Sequence, residues 1–164
     1  MKQIKLSKRL KAIADLIRKD ATVADIGTDH GYLPVFLAQT GTAKRIIASD
    51  ISTASLSAAC RSAMEYDVTE NITFLVAPGL DGITRADADT IIIAGLGGET
   101  ILSILENAPW TKSHDVTLIL QPQTKIALLC RFLYDNGYEI KQTKSVLEKR
   151  KRYTVILVTG EKDL

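Results

Sequence analysis

The sequence predicts an α/β fold: a mainly parallel sheet with helices on both faces, closed by one antiparallel strand. Three observations predict it. Short apolar runs alternate with segments of helical periodicity along most of the 164 residues, the pattern that winds a parallel sheet through right-handed crossovers. The last two apolar runs, 139–147 and 153–159, follow each other with no helix between them, which places an antiparallel hairpin at the sheet edge. The first strand runs straight into a glycine-bearing turn, Gly27-Thr-Asp-His-Gly31. Turns of that kind open ligand sites at the carboxyl ends of such sheets.

Each element has its own signal. Leu6, Leu10, Ile13, Leu16 and Ile17 recur at helical spacing and predict an amphipathic helix over 6–19, capped by Ser7. The short apolar run 22–26 is a buried strand. Residues 32–40 are helical, with Pro34 tolerated in the first turn and Gly41 as terminator. A second strand spans 45–50, a helix capped by Ser52 spans 52–66, and a third strand spans 71–76. The fourth strand, 90–94, runs into Gly95-Leu-Gly-Gly98, and a helix over 99–107 stops before Pro109. A fifth strand over 116–120 and a helix over 124–136, ended by Gly137, precede the closing hairpin. The expected organisation is a single domain over residues 1–164, with no internal repeat and no linker.

Composition bounds the function. Hydrophobic residues are 46% and charged ones 24%, ordinary for a folded domain and contrary to disorder, collagen or coiled coil. The longest apolar stretch, residues 90–96, is far shorter than the ~20 residues of a spanning helix. Two cysteines, Cys60 and Cys130, make neither a disulfide framework nor a metal-ligand pattern. The expectation is a cytoplasmic protein with no metal and no membrane partner; oligomeric state is left open. Net charge is only +2, yet it is segregated. Residues 1–19 hold seven basic groups and one acid, residues 141–152 hold six and one, and residues 20–140 hold seven basic groups against fifteen acids. An acidic middle between basic ends suits a cation held in the body and a polyanion at the rim. It equally describes a pair of solvated surfaces.

The loops at the carboxyl ends of the strands carry the chemistry. After the first strand comes Asp25-Ile-Gly-Thr-Asp-His-Gly-Tyr-Leu-Pro34. Gly27 and Gly31 permit close backbone approach. A dinucleotide fingerprint would put its second glycine at position 29, where this chain has Asp. A carboxylate there opposes a pyrophosphate and argues against a nicotinamide dinucleotide. S-adenosylmethionine carries a sulfonium and an ammonium and no phosphate, and Asp25 and Asp29 suit those charges. Asp50 ends the second strand nineteen residues after Gly31. An acid at about that distance accepts hydrogen bonds from a ribose diol, or it caps the following helix. Ile51 follows it. Ala77 and Pro78 are candidates to line an adenine ring, with Asp81 the nearest acid for its amino group. Gly95, Gly97 and Gly98 let main chain crowd a flat ligand or nucleobase, or simply make a tight turn into a helix.

Leu6-Ser-Lys-Arg-Leu10, Ala24-Asp-Ile-Gly-Thr-Asp-His30, Tyr32-Leu-Pro34, Ile93-Ala-Gly-Leu-Gly-Gly98, Leu120-Gln-Pro122 and Asn136-Gly-Tyr-Glu139 occur in that order. Together they resemble the bacterial TrmK family of tRNA (adenine(22)-N1)-methyltransferases over about residues 6–159. The resemblance implies a class I, Rossmann-like S-adenosylmethionine-dependent methyltransferase fold with seven strands in the order 3-2-1-4-5-7-6. It also implies S-adenosylmethionine as cofactor, tRNA as partner and transfer of a methyl group to adenine N1.

Several positions depart from the family. Its usual Gly-Asp-Gly-Leu after the third strand is Ala77-Pro-Gly-Leu80 here, so position 78 lacks the acid and Asp81 is the candidate replacement. Its usual Leu-Arg in the helix after Gln-Pro is Leu129-Cys130, with Arg131 one place on. Gly31 stands where the family often has Ala. The segment before the last strand, usually acidic and glycine-containing, is Lys149-Arg150-Lys151-Arg152. Family members continue into a helical, coiled-coil-like domain, whereas this sequence stops at Leu164. The expectation is a methyltransferase domain without that extension.

Adenine N1 has an in-plane lone pair and no proton to lose, so a general base is not obligatory. Alignment of nucleophile and methyl carbon supplies much of the catalysis. Asp29, His30 and Tyr32 are the candidate catalytic residues, by stacking on the base and stabilising its developing positive charge. His30 alternatively only braces its loop. The candidate cofactor-binding set is Asp25, Gly27, Gly31, Asp50, Ile51, Ala77, Pro78 and Gly95. The candidate substrate-binding set is Lys8, Arg9, Gly97, Gly98, Gln121, Lys149, Arg150, Lys151 and Arg152. Gln121 meets either the adenine edge or only a loop carbonyl. Two other functions compete: methylation of a small molecule or protein, and a cofactor-binding module that is inactive alone.

Overall fold

The computed structural model describes residues 2–161; Met1 and residues 162–164 of the expected domain lie outside the described residues. Seven strands form one sheet: β1 (Ala21–Ile26), β2 (Ala43–Asp50), β3 (Thr73–Val76), β4 (Thr90–Leu96), β5 (Thr117–Pro122), β6 (Tyr138–Glu148) and β7 (Lys151–Gly160). Their order is β3-β2-β1-β4-β5-β7-β6. Strands β1 to β5 pair in parallel, and β7 alone runs against its neighbours β5 and β6. This is the expected sheet and the expected antiparallel strand.

Two apolar layers clothe it. On one face, Ile13 of α1 (Lys8–Ala14), Leu33, Val35 and Leu37 of α2 (Tyr32–Thr40) and Ala63 of α3 (Thr53–Glu65) pack on Val23, Ala48, Ile92 and Ile119. On the other, Ile101 and Leu105 of α4 (Gly98–Glu106) and Leu129 and Leu133 of α5 (Ile126–Asp135) pack on Ala24, Ile91, Ile93 and Leu118. Strand β4 feeds both layers because Ile91, Ile92 and Ile93 are each fully buried. That is why the central strands read as continuous apolar runs. Among the described residues, no helix is long and apolar enough to cross a membrane.

Local chemistry sets the boundaries, and three expectations need correction. The first helix is not 6–19 but Lys8–Ala14, started by Ser7, whose hydroxyl accepts from the Leu10 N–H at 3.2 Å. Beyond it the chain tightens, with Leu16 and Ile17 N–H donating to the carbonyls of Ile13 and Ala14. Three-residue turns keep Ile17 in the core without extending the helix. Strand β4 does not stop at Ala94. It continues through Gly95 to Leu96 by way of a register shift against β5, with Gly95 at φ 79°, a bulge built on glycine. Strand β5 likewise runs on through Gln121 to Pro122. The cap of α3 is as expected: the Ser52 hydroxyl accepts from Ser55 N–H at 3.2 Å.

Strands β6 and β7 are joined by Lys149 and Arg150 alone, since Glu148 faces Lys151 across the ladder. Because β6 runs parallel to the central strands, this turn lies at the end of the sheet where β1, β2 and β4 terminate.

Candidate active site

A cavity of about 1310 Å³ opens at that end. Its walls are the turns after β1, β2, β3 and β4, the exposed side of α4, and α1 with the segment before it. It sits where strand order reverses between β1 and β4, the expected switch point.

The turn after β1 is fixed by hydrogen bonds to β2. Gly27 N–H and Thr28 N–H both donate to the Ser49 carbonyl at 2.9 Å, and Asp29 N–H donates to Asp50 Oδ2 at 3.0 Å. Three residues of the turn take left-handed backbone: Gly27 at φ 73°, Asp29 at 57° and Gly31 at 71°. A Cβ on Gly27 would meet nothing nearer than Leu96 at 3.8 Å. Conformation, not protein packing, demands glycine there, and its face toward the cavity is open. Gly31 is different. It lies outside the cavity wall, and a Cβ there would come within 2.7 Å of the Ala59 Cβ on α3. What the structure shows for Gly31 is a helix-packing role, its backbone set against α3.

Asp50 is buried, and each carboxylate oxygen already accepts one backbone N–H: Oδ2 from Asp29 and Oδ1 from Ser52 at 3.0 Å. A carboxylate has about four acceptor sites, so it retains lone pairs for further donors. Asp25 is buried beside it, with Thr28 Oγ1 donating to Oδ2 at 2.9 Å. Burial pushes the Asp25 carboxyl up to about 7. The Thr28 hydrogen bond and the Arg9 charge pull the other way, and the Asp50 charge adds to the rise. Ile51, 72% exposed, forms the lip of the cavity. Ala77, Pro78 and Asp81 line the same side, in a turn closed by Asp81 N–H donating to the Pro78 carbonyl at 3.1 Å.

At the mouth, His30 and Tyr32 stack with ring centroids 5.4 Å apart and planes 28° apart. Asp29 Oδ2 lies 3.9 Å from His30 Nε2. The Asp29 and His30 side chains are 71% and 54% exposed, and Tyr32 is 45% exposed. The structure thus brings these three together, open to solvent and facing the cavity.

The expected substrate set separates into three groups. Gln121 is fully buried, with Oε1 accepting from Gly95 N–H at 3.1 Å and Arg9 Nη1 at 2.9 Å. Its Nε2 donates to the Pro122 carbonyl at 3.2 Å. It fills the β4 bulge and is not available to a base. Gly97 and Gly98 lie outside the cavity wall. A Cβ on Gly98 would lie 2.6 Å from the Thr124 and Lys125 carbonyl oxygens, and one on Gly97 3.0 Å from Thr124 Oγ1. They let α4 start against the turn before α5. Arg9 belongs to the cavity wall, not to an outer rim, while Lys8 is exposed on α1. Lys149, Arg150, Lys151 and Arg152 are exposed at the hairpin tip outside the cavity. That tip is tied to α1, because Glu148 Oε1 accepts the Arg9 N–H at 3.1 Å.

Sequence reasoning missed the α4 wall. Thr100, Ser103 and Asn107 line the cavity. Thr100 and Ser103 on α4 and Asn107 at its C-cap share the i, i+3, i+7 spacing of one helix face, and that polar stripe was legible. Trp110 packs against the core and also lines the cavity. Among the described residues no cluster of His, Cys, Asp and Glu could hold a metal ion.

Residues 6–156 match the family described as methyltransferase domain. The tRNA (adenine(22)-N(1))-methyltransferase of Bacillus subtilis (strain 168) is 34% identical over 164 residues, 99% of this chain and 69% of that protein. The structure of Streptococcus pneumoniae Sp1610 in complex with S-adenosyl-L-methionine matches with a TM-score of 0.88 at 33% identity, covering 98% of this chain and 76% of that one. The structure of M. capricolum TrmK in complex with its cofactor product S-adenosyl-homocysteine matches with a TM-score of 0.83 at 30% identity, covering 97% of this chain and 72% of that one.

Proposed function

Because the chain belongs to the tRNA (adenine(22)-N1)-methyltransferase family, we propose that it transfers a methyl group from S-adenosylmethionine to N1 of an adenine in tRNA. The observation that carries this reading is the cavity: an acidic crevice at the switch point, pinned in shape by β2, with an aromatic pair at its mouth.

The donor set fits the cofactor. The spare lone pairs of Asp50 suit the ribose hydroxyls. Gly27 and Gly95 offer open backbone faces, and Ile51, Ala77 and Pro78 give an apolar shelf for adenine, with Asp81 available to its amino group. Asp25 answers the ammonium, and Arg9 is the cation for the cofactor's carboxylate. When bound, the cofactor supplies a methyl group made electrophilic by the sulfonium. The chain's own task is then positional. His30 and Tyr32 present a stacked surface that holds the target base edge-on to the cavity. Asp29 places a carboxylate where the base becomes cationic. No residue has to accept a proton from N1. Since N1 is masked in a paired base, the adenine enters unpaired or extruded. The reaction is placed in the cytoplasm, with the tRNA substrate.

The test is incubation with labelled S-adenosylmethionine and bulk tRNA, followed by hydrolysis to nucleosides. Label in 1-methyladenosine is the expected result. Label found only in another acceptor, protein or small molecule, overturns the choice of substrate, and failure to bind S-adenosylhomocysteine overturns the reading altogether.

A further inference from the structure

The β6–β7 turn is built from residues that its geometry disfavours. Lys149 and Arg150 both take left-handed backbone, at φ 50° and 65°. Two-residue hairpin turns of this hand select Asn-Gly, Asp-Gly or Gly-Gly, because a side chain at positive φ crowds the following carbonyl. Nothing in the turn's own stability favours two long basic side chains there. Neither they nor Lys151 form an ion pair among the described residues.

The positive charge continues inward from the tip. Lys151 Nζ stands 5.4 Å from the centre of the Tyr153 ring, and the Arg9 guanidinium stands 5.7 Å from the same ring. Arg9 also lines the cavity and is anchored by Gln121. A row of cations therefore runs from the hairpin tip, across Tyr153, to the cavity wall. Glu148, at the foot of the hairpin, is occupied by the Arg9 N–H and holds the row's two halves together.

We propose that this row is a track for the RNA backbone, with Lys149 and Arg150 contacting phosphates of the strand that flanks the target adenine. The inference rests on the reading that the acceptor is an adenine in RNA. An extruded base leaves its flanking phosphates exposed, and holding them at a fixed distance from the cavity sets how far the base can reach inside. Phosphate contacts of this kind give affinity without sequence preference and release counterions on binding.

The experiment compares the parent chain with a K149N/R150G variant, which keeps the turn and removes its charge. Four quantities are measured: tRNA affinity across a salt series, KM and kcat for tRNA methylation, S-adenosylhomocysteine affinity, and Tm. The expected variant binds tRNA with a log-affinity against log-salt slope shallower by about 1.4–1.8, the loss of two phosphate contacts. Its KM for tRNA rises about tenfold, while kcat and S-adenosylhomocysteine affinity hold. Relief of the strained turn leaves Tm unchanged or raises it by about 2–4 °C. An unchanged slope and KM in the variant, with the parent methylating tRNA, overturns the track and leaves the proposed function standing. A parent chain that binds tRNA through this turn but methylates only some other acceptor overturns the proposed function and leaves the track standing. A lowered Tm with an unchanged slope shows that the pair serves the fold, and also overturns the track.

Discussion

Asp25 stands under two opposed demands. Burial makes its negative charge costly, while the proposed cofactor brings positive charge that needs it. Its folded value of about 7 lies above the ordinary carboxylate value of 3.8, so the native state holds the proton longer than the unfolded chain does. The corresponding stability is complete below the unfolded value and is lost as pH rises through about 7. Asp25→Asn keeps an acceptor for Thr28 and removes the titration. The ligand-free variant is therefore expected to gain Tm relative to the parent as pH goes from 5 to 8, by an amount worth about 2.7 kcal/mol at most. Across the same window parent affinity for S-adenosylmethionine is expected to rise, and the variant's to stay flat and low. Isothermal titration at pH 6 and pH 8 separates the two. Asp50→Ala removes the acceptors for Asp29 N–H and Ser52 N–H as well as those offered to the ribose. Cofactor affinity should fall at least tenfold, since hydrogen bonds to a charged group contribute about 1.5–3 kcal/mol. Tight binding by this variant in a titration with S-adenosylhomocysteine would remove Asp50 from the site. The placement of Asp25 and Asp50 in the cavity wall was legible because their positions relative to the glycines follow from strand and turn length. The roles of Arg9 and Gln121 were not. Their partners are 112 residues apart in the chain, and only the β4 bulge brings them together.

Glycine does different work in different elements. Gly31 separates α2 from α3, and a Gly31→Ala variant carries both an overpacking cost of about 1–3 kcal/mol and a left-handed backbone cost of about 1–2 kcal/mol. Urea unfolding should show a lower midpoint with an unchanged slope. Gln121 plays the matching part between β4 and β5. Gln121→Leu leaves the Gly95 N–H without its acceptor and frees the Arg9 guanidinium. A destabilisation of about 1–3 kcal/mol is expected from the orphaned donor, accompanied by weaker cofactor binding because Arg9 loses its anchor. Full retention of both stability and affinity would show that the bulge is held by other contacts. The elements themselves were readable from periodicity and caps, and α3 and its Ser52 cap show this best. Misplaced boundaries fell where side chains substitute for backbone pairing, at Gly95 and Gln121, or where a helix relaxes into three-residue turns, as after Ala14. Local pattern does not encode either event.

For the molecule as a whole, the parallel sheet, the antiparallel strand and the end of the sheet that bears the cavity followed from the alternation of elements and the adjacent final strands, whereas the strand order came from the resemblance to the family. The far wall of the cavity was only partly legible: the polar stripe of α4 marked it, whereas Trp110 looks like ordinary packing until the fold places it beside the cavity. A ligand that binds only the folded chain stabilises all of it. At a free concentration a hundredfold above its dissociation constant, S-adenosylhomocysteine should add about 2.7 kcal/mol to the unfolding free energy. Differential scanning calorimetry reads this as an upward shift of Tm, and no shift at saturating ligand would mean that the cavity does not take it.

Three successive N–H groups, those of Gly27, Thr28 and Asp29, are tied to β2 by hydrogen bonds within the protein. That wall of the crevice is therefore held by the protein itself, and an arriving small molecule does not have to freeze this turn. Its association should be a single fast exponential limited by diffusion and orientation, with little entropic penalty assignable to the protein.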